Sequence, residues 1–344
     1  MSIAVPLYGF GASGGSPNKS TIIVTAPTGS TVTCKMGATT KTAAEKNGVW
    51  TFGGLDLGTW TITSTKGGDS ATQDVSITRL TVEYVTIVYR ITPEFTYTGD
   101  YEVVDDSDNP ISDFAGWKNN WKIRFLTSGT FTVTKLNGWN GQLDVFLVGG
   151  GGGTKWSVGS KIHSGGAGGG YTQTGKAVPV TTNTPYQIDI GSGGIDAADG
   201  GTTSAFGLSA GGGGHPTGSS GAAGGSGGGG YVHANASGTS ASGAGNGGSD
   251  GSDGITAGSG GGDGGKGQGT TTREFGEENG KLYAGGGAGA SNKGSVSPVG
   301  GAGGGGDMGS DGATNTGGGA GNALNGTHNG GSGIVVIRNA RGAA

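Results

Sequence analysis

Asp144-Val145-Phe146-Leu147-Val148-Gly149-Gly150-Gly151-Gly152-Gly153 is the stretch that decides the fold. An apolar run of strand length passes without a break into five consecutive glycines. Such a run reads as a strand. At the far end of the chain the order is reversed, in Gly330-Gly331-Ser332-Gly333-Ile334-Val335-Val336-Ile337-Arg338. A strand before the glycine and a strand after it implies that both lie in one sheet. The glycine segments then emerge from that sheet as an insertion.

Of the 86 glycines in the 344 residues, 68 lie between Gly149 and Gly333. Collagen is excluded, because it needs strict Gly-X-Y and abundant proline, and the chain has nine prolines. A flexible linker is excluded by the apolar anchors within the region, among them Tyr171, Tyr186, Ile188, Ile190, Phe206 and Leu208. Ordering glycine costs more backbone entropy than ordering any other residue, so something must offset it. Packed polyproline-II-type helices, with three residues per turn and close backbone approach, answer that need. Period-three glycines support the reading at Gly218/Gly221/Gly224/Gly227/Gly230 and Gly300/Gly303/Gly306/Gly309/Gly312. Shorter runs stand at Gly245/Gly248/Gly251/Gly254 and Gly258/Gly261/Gly264/Gly267.

Working outward, the first 148 residues hold five of the six tryptophans and most of the β-branched runs. Ile22-Ile23-Val24, Val49-Trp50-Thr51-Phe52, Trp60-Thr61-Ile62-Thr63 and Val82 to Val88 are short strands punctuated by Gly, Asn and Asp. Phe95-Thr96-Tyr97, Trp121 to Leu126 and Gly129 to Val133 form a second β-rich block. In it Trp121, Ile123 and Phe125 share a face. No segment keeps helical periodicity over three turns. The expected organisation is an N-terminal arm (1–17), an Ig-like β-sandwich (18–91), a glycine-rich domain (92–338) and a tail (339–344). Within the glycine-rich domain, 92–148 and 334–338 form a β base and 149–333 the array. Pro93 marks the boundary, because proline interrupts ladder hydrogen bonding. The expected fold class is all-β: a small Ig-like sandwich, then a sandwich base carrying a glycine-rich polyproline-II-type helix array.

Val24-Thr25-Ala26-Pro27-Thr28-Gly29-Ser30-Thr31-Val32-Thr33-Cys34, with Gly48 to Phe52 and Leu57 to Ile62, resembles a carboxypeptidase-regulatory-like or PEGA-like module. Such modules are Ig-like spacers and interaction platforms. Phe95 to Tyr101, Trp121 to Gly129, Asp144 to Gly153, Gly165 to Tyr171 and Gly330 to Arg338 together resemble the glycine-rich domain of phage tail and tail-fibre proteins. That resemblance covers 92–338. It implies a β-sandwich base, a polyglycine-helix array and variable loops that contact a receptor.

Charge and motifs narrow the function. Net charge is −4 with no basic stripe, so nucleic acid is not an expected partner. No run of about 18 apolar residues exists, so membrane insertion is not expected. Met1-Ser2-Ile3-Ala4-Val5-Pro6 lacks the features of a secretory signal, which fits assembly in a host cytoplasm. Gly260 to Lys266 fits G-x-x-x-x-G-K, but Gly267 stands where Ser or Thr must reach magnesium. His163, His215, His233 and His328 all lie in the glycine region and lack the local spacing of metal ligands. Asp250 and Asp253 lack the sustained repeat of a calcium site. Glu274, Glu277 and Glu278 read as a solvated turn rather than as paired catalytic acids. No metal, cofactor or enzymatic activity is expected.

The remaining signal is in the interruptions of the glycine. Trp156, Tyr231, His233, Arg273, Phe275, Lys281 and Tyr283 are the candidate receptor-binding residues, since aromatic and arginine side chains dominate recognition surfaces. The same residues would equally staple the glycine helices. The expected function is a virion tail structural protein that binds the host surface. A decoration or tail protein without a receptor role is the alternative. The expected partners are other tail or fibre proteins and a bacterial surface polysaccharide or outer surface protein, with homo-oligomerisation also open.

Overall fold

A computed structural model of the chain describes residues 19–66, 69–87, 94–111, 121–136, 139–155, 165–234, 240–242, 272–290, 297–322 and 326–341. The arm, the tail residues 342–344, the Pro93 boundary, the glycine runs 245–254 and 258–267, and Asp250 and Asp253 lie outside them. The chain divides into two compact units, each described here by itself.

The first unit contains β1 (Ser20–Thr25), β2 (Thr31–Met36), β3 (Thr39–Thr42), β4 (Val49–Leu55), β5 (Gly58–Lys66), β6 (Asp69–Ile77) and β7 (Val82–Thr86). They form two sheets, ordered β4-β1-β7 and β3-β2-β5-β6. Alternation decides the faces. On β5, Trp60, Ile62 and Ser64 point inward, and Thr59, Thr61, Thr63 and Thr65 alternate with them. Trp50, Phe52, Trp60, Ile62, Ile22, Val24, Leu55 and Cys34 fill the core between the sheets. Asn47 and Gly48 both take positive φ (53° and 74°), and Lys46 bridges to Val49. This Asn-Gly turn brings the chain into β4.

The second unit contains β8 (Glu94–Tyr97), β9 (Tyr101–Val104), β10 (Lys122–Phe125), β11 (Gly129–Lys135), β12 (Gln142–Val148), β13 (Thr154–Lys155), β14 (Thr172–Pro179), β15 (Pro185–Asp189), β16 (Thr203–Ala205), β17 (Leu208–Ala210), β18 (Val232–Ala234), β19 (Ser240–Ser242), β20 (Thr327–His328) and β21 (Ile334–Asn339). Two five-stranded sheets, β14-β12-β21-β10-β9 and β17-β16-β15-β11-β8, form the sandwich base. Strands β12 and β21, the two ends of the glycine insertion, pair directly and antiparallel, with Val148 opposite Ile334. Phe125 of the first sheet meets Phe131 of the second edge-on, with ring centroids 5.3 Å apart. The fold is all-β.

Beyond Val148 the glycine segments order themselves by a hydrogen-bond pattern of period three. Along 165–171 the amides of Gly165, Gly168 and Tyr171 donate to Gly218, Gly214 and Gly211. Those of Gly166 and Gly169 donate to Gly229 and Ser226, and those of Ala167 and Gly170 to Ala320 and Gly317. One segment thus feeds three neighbours, as a helix with three residues per turn must. Segment 149–153 does the same, donating from Gly149 and Gly152 to Tyr171 and Gly168, from Gly150 and Gly153 to Gly201 and Ala198, and from Gly151 to Gly331. Parallel neighbours occur as well: Ala222 and Gly225 donate to Gly166 and Gly169.

The array needs glycine because its backbones nearly touch. A Cβ on Gly151 would lie 2.0 Å from the Gly318 carbonyl oxygen. Each bond contributes about 1 kcal/mol net, against about 1–2 kcal/mol of backbone entropy per ordered residue. The array therefore does not support itself; it depends on the sandwich at its root and on buried Phe146, Val148, Tyr283 and Ala284. The long period-three glycine runs are not single helices. Gly303 takes φ +100° and Gly304 φ +96°, so the run from Gly300 turns there. The run from Gly218 reverses at the bend 225–226, which leaves Gly228 donating back to Ala222.

Candidate functional site

The candidate residues separate into two places. Segment 272–283 lies against the outer face of the sheet that contains β10 and β21. That face is unusual: Lys122 and Arg124 alternate with Ile123 and Phe125 on β10, and Arg338 stands opposite Lys122 on β21. All three cations are buried, and each meets carboxylates. Lys122 Nζ lies 2.7 Å from Asp108 and 3.2 Å from Glu274. Arg124 reaches Glu102 at 3.2 Å, Glu274 at 3.7 Å, and Asp108. Arg338 reaches Asp144 at 3.2 Å and Glu277 at 2.9 Å. The Arg338 hydrogen bond holds the Glu277 carboxyl below its ordinary range.

Phe275 is the wedge of this segment. Its ring packs under the Arg338 guanidinium, 4.1 Å from it, with Lys176 5.7 Å away and Phe146 6.3 Å away. Its backbone is left-handed, φ +59°, a conformation that costs a non-glycine residue roughly 1–2 kcal/mol. Burial of the ring offsets that cost. The reading of Glu274, Glu277 and Glu278 as a solvated turn holds for Glu278, which is exposed, and is corrected for Glu274. Glu274 is 3% exposed between two cations, and Glu277 is bound to Arg338. A cleft of about 450 Å³ remains, lined by Asp106, Lys122, Glu277, Lys281, Arg338 and Arg341 among others. Its four cations and four carboxylates balance, and Arg341 is itself bound to Asp106.

The second place is the end of the array remote from the sandwich. The register of the glycine bonds defines it. Gly149, Gly170, Ala284, Gly317 and Gly333 lie at the root. The chain leaves the root at Gly149 and Ala284 and returns to it at Gly170, so Gly153, Gly165 and Ala290 lie at the far end. Tyr231 donates to Ser219 beside Gly165, and Asn322 donates to Ala288. Thr154 Oγ1 donates to the Gly321 carbonyl. The described residues that flank 156–164, 291–296 and 323–325 therefore gather at this end. At about 3.1 Å per residue, the six steps from Ala284 to Ala290 put roughly 19 Å between the two places.

Polar pairs line the far end. Lys155 meets Asp196 at 3.5 Å, His215 meets Asp199 at 2.6 Å and His328 meets Asp311 at 3.3 Å. Asn329 donates to Asp311 and accepts from the Asp196 amide. The His215 amide and ring hold the Asp199 carboxyl below its usual range. Ile195 projects among these groups, 68% exposed.

Of the seven candidates, Trp156 lies outside the described residues and His233 falls on β18 at the far end. Tyr231 is at the far end but buried, and burial pushes its hydroxyl up to about 12. Phe275 and Tyr283 are buried at the root, so their rings staple and do not present a surface. Arg273 donates to the Gly280 carbonyl within its own loop, and Lys281 lies 5.5 Å over the Tyr283 ring. The six described candidates, whose proximity the sequence left open, thus divide between a root clamp and a separate far end. Sequence reasoning weighed His215 only as a metal ligand and passed over Asp196, Asp199, Asp311 and Asn329. Only the three-dimensional register brings them together.

The fold and the two ends of its array define a class, an all-β sandwich that carries a packed glycine-helix insertion. The chain belongs to the glycine-rich domain family, whose model, described as a glycine-rich domain, matches residues 126–340. No curated protein matches it.

Proposed function

We propose that the chain is a structural protein of a bacteriophage tail, with the far end of its glycine array as the face that contacts the host surface. The observation that carries this reading is the gathering of Lys155, Ile195, Asp196, His215, His328 and Asn329 at one end of a glycine platform. Interfaces draw their energy from side chains, and the array itself offers none. The far end supplies exposed Ile195 and the polar groups of Lys155, Asp196, His215 and Asn329, a mixture suited to a hydroxyl-rich or amide-rich surface polymer. Membership of the glycine-rich family agrees with the tail-protein resemblance without specifying it. Burial of Tyr231, Phe275 and Tyr283 favours the second reading, a decoration or tail protein without a receptor role, for those three side chains.

The test is attachment of fluorescently labelled protein to a panel of intact bacteria and to their isolated surface polysaccharides. Binding to at least one surface is expected. The variant Lys155→Ala/Ile195→Asp/His215→Ala/Asn329→Ala should lose it by about 100-fold, as removal of an interface centre does. Lys281→Ala at the root should retain it. Equal attachment of the far-end variant would move the contact elsewhere, and attachment to nothing would leave the decoration role.

A further inference from the structure

Strand β7 is an open edge of the sheet β4-β1-β7 among the described residues. Its parallel pairing with β1 uses odd-numbered residues. Thr81 O accepts from Thr21 N at 3.0 Å, and Ile87 N donates to Thr25 O at 2.8 Å. A strand residue's N–H and C=O point to the same side, so those of Val82, Tyr84 and Thr86 point away from β1. The same residues carry outward side chains. Val82 is 50% exposed and Tyr84 75%, with Leu80 at 53% just before them. Natural edges are blunted by lysine, proline or a bulge. Here Glu83 is the one charge, and the paired register Thr21–Val82 to Thr25–Thr86 runs without a bulge.

We propose that residues 3–7 of the chain add to this edge as an antiparallel strand, with Ile3 opposite Thr86, Val5 opposite Tyr84 and Leu7 opposite Val82. Ile3, Val5 and Leu7 alternate over five residues, the length of β7. Residues directly opposite each other share a face, so these three side chains lie beside Val82 and Tyr84 and cover them. The proline falls where it does no harm. Pro6 stands opposite Glu83, at a position whose nitrogen faces away from β7, so its missing N–H removes no bond.

The direction also fits the connection. An antiparallel segment ends beside Val82, at the end of β7 where Ser20 enters β1. From there the chain must cross two strand spacings, about 10 Å. Gly9 to Asn18, rich in glycine and serine, has a root-mean-square span of about 17 Å. A tether of that length gives an effective concentration in the millimolar range, so the chain's own segment outcompetes that of a second copy in dilute solution.

Amide hydrogen exchange of the full chain tests the pairing. The amides of Val82, Tyr84 and Thr86 should exchange about tenfold more slowly than in a chain lacking residues 1–17, and equally so at every concentration below the millimolar range. Val5→Pro removes the N–H that faces Tyr84 and should return these amides to the rates of the shortened chain. Ala4→Pro alters a position that faces away and should leave them protected. Equal rates with and without residues 1–17 would overturn the proposal. So would protection that rises with protein concentration, since the strand would then come from a second copy, or protection that survives Val5→Pro.

Discussion

Gly151 and Gly211 look alike in the sequence and differ entirely in what surrounds them. A methyl at Gly151 would collide with the Gly318 carbonyl at 2.0 Å, whereas one at Gly211 would rest 3.5 Å from the Tyr171 ring. Gly151→Ala should therefore destabilise the second unit by on the order of 3 kcal/mol. Gly211→Ala should be neutral or stabilise by about 0.4–1 kcal/mol, because it narrows the unfolded ensemble. Denaturant titration of both variants checks the pair, and similar losses would mean that backbone contact is not what selects glycine. Cys34 offers a second check at this scale. It is fully buried between the sheets of the first unit, and burial pushes its thiol up to about 11. It should remain unmodified by iodoacetamide at neutral pH until that unit unfolds.

The element that the sequence concealed is segment 272–283. Its aromatics flanked by polar residues have the composition of a contact loop, and composition alone does not separate a loop that meets a partner from one that folds back. The usable signal lay elsewhere, in Lys122, Arg124 and Arg338 on otherwise apolar strands. Cations in such places require carboxylates, and Glu274 and Glu277 supply part of that set beside Asp108 and Asp144. The strands themselves were legible, because β12 and β21 are apolar on both faces and abut glycine. In its described segments the array was legible as ordered, but its turns were not, since glycine permits Gly303 and Gly304 to reverse with no change in composition. The clamp is testable. Arg338→Met leaves Asp144, 1% exposed, without its main partner and should cost about 3–5 kcal/mol. Arg338→Met/Asp144→Leu should recover much of that loss; a double variant no better than the single would deny the pairing. Acid should loosen the segment too. Glu277 is held below its usual range, so its contribution is present above its unfolded pKa, about 4.3, and is lost as pH falls through the lower folded value. Glu277→Gln should flatten stability against pH below that point.

At the scale of the molecule, residues 1–91 are proposed to fold alone, because the tryptophans and strands of that core come from within them. A β-type circular dichroism spectrum with a cooperative melt is expected of this fragment, and a random-coil spectrum would remove the two-domain reading. The second unit has no such independence from its own end. Strand β21 lies between β12 and β10, bonded to both, and it comes from residues 334–339. Until those residues exist, β12 and β10 have no common neighbour and the array has lost one of its anchors. Loop closure over so many residues is slow, and partly built sheets with exposed edges aggregate. During synthesis, at about 5–20 residues per second, the unit must wait for its central strand while the first unit folds ahead of it. A ribosome-stalled chain ending before Ile334 should then show a protease-resistant first unit and a degraded second one, and release of a few further residues should convert the whole.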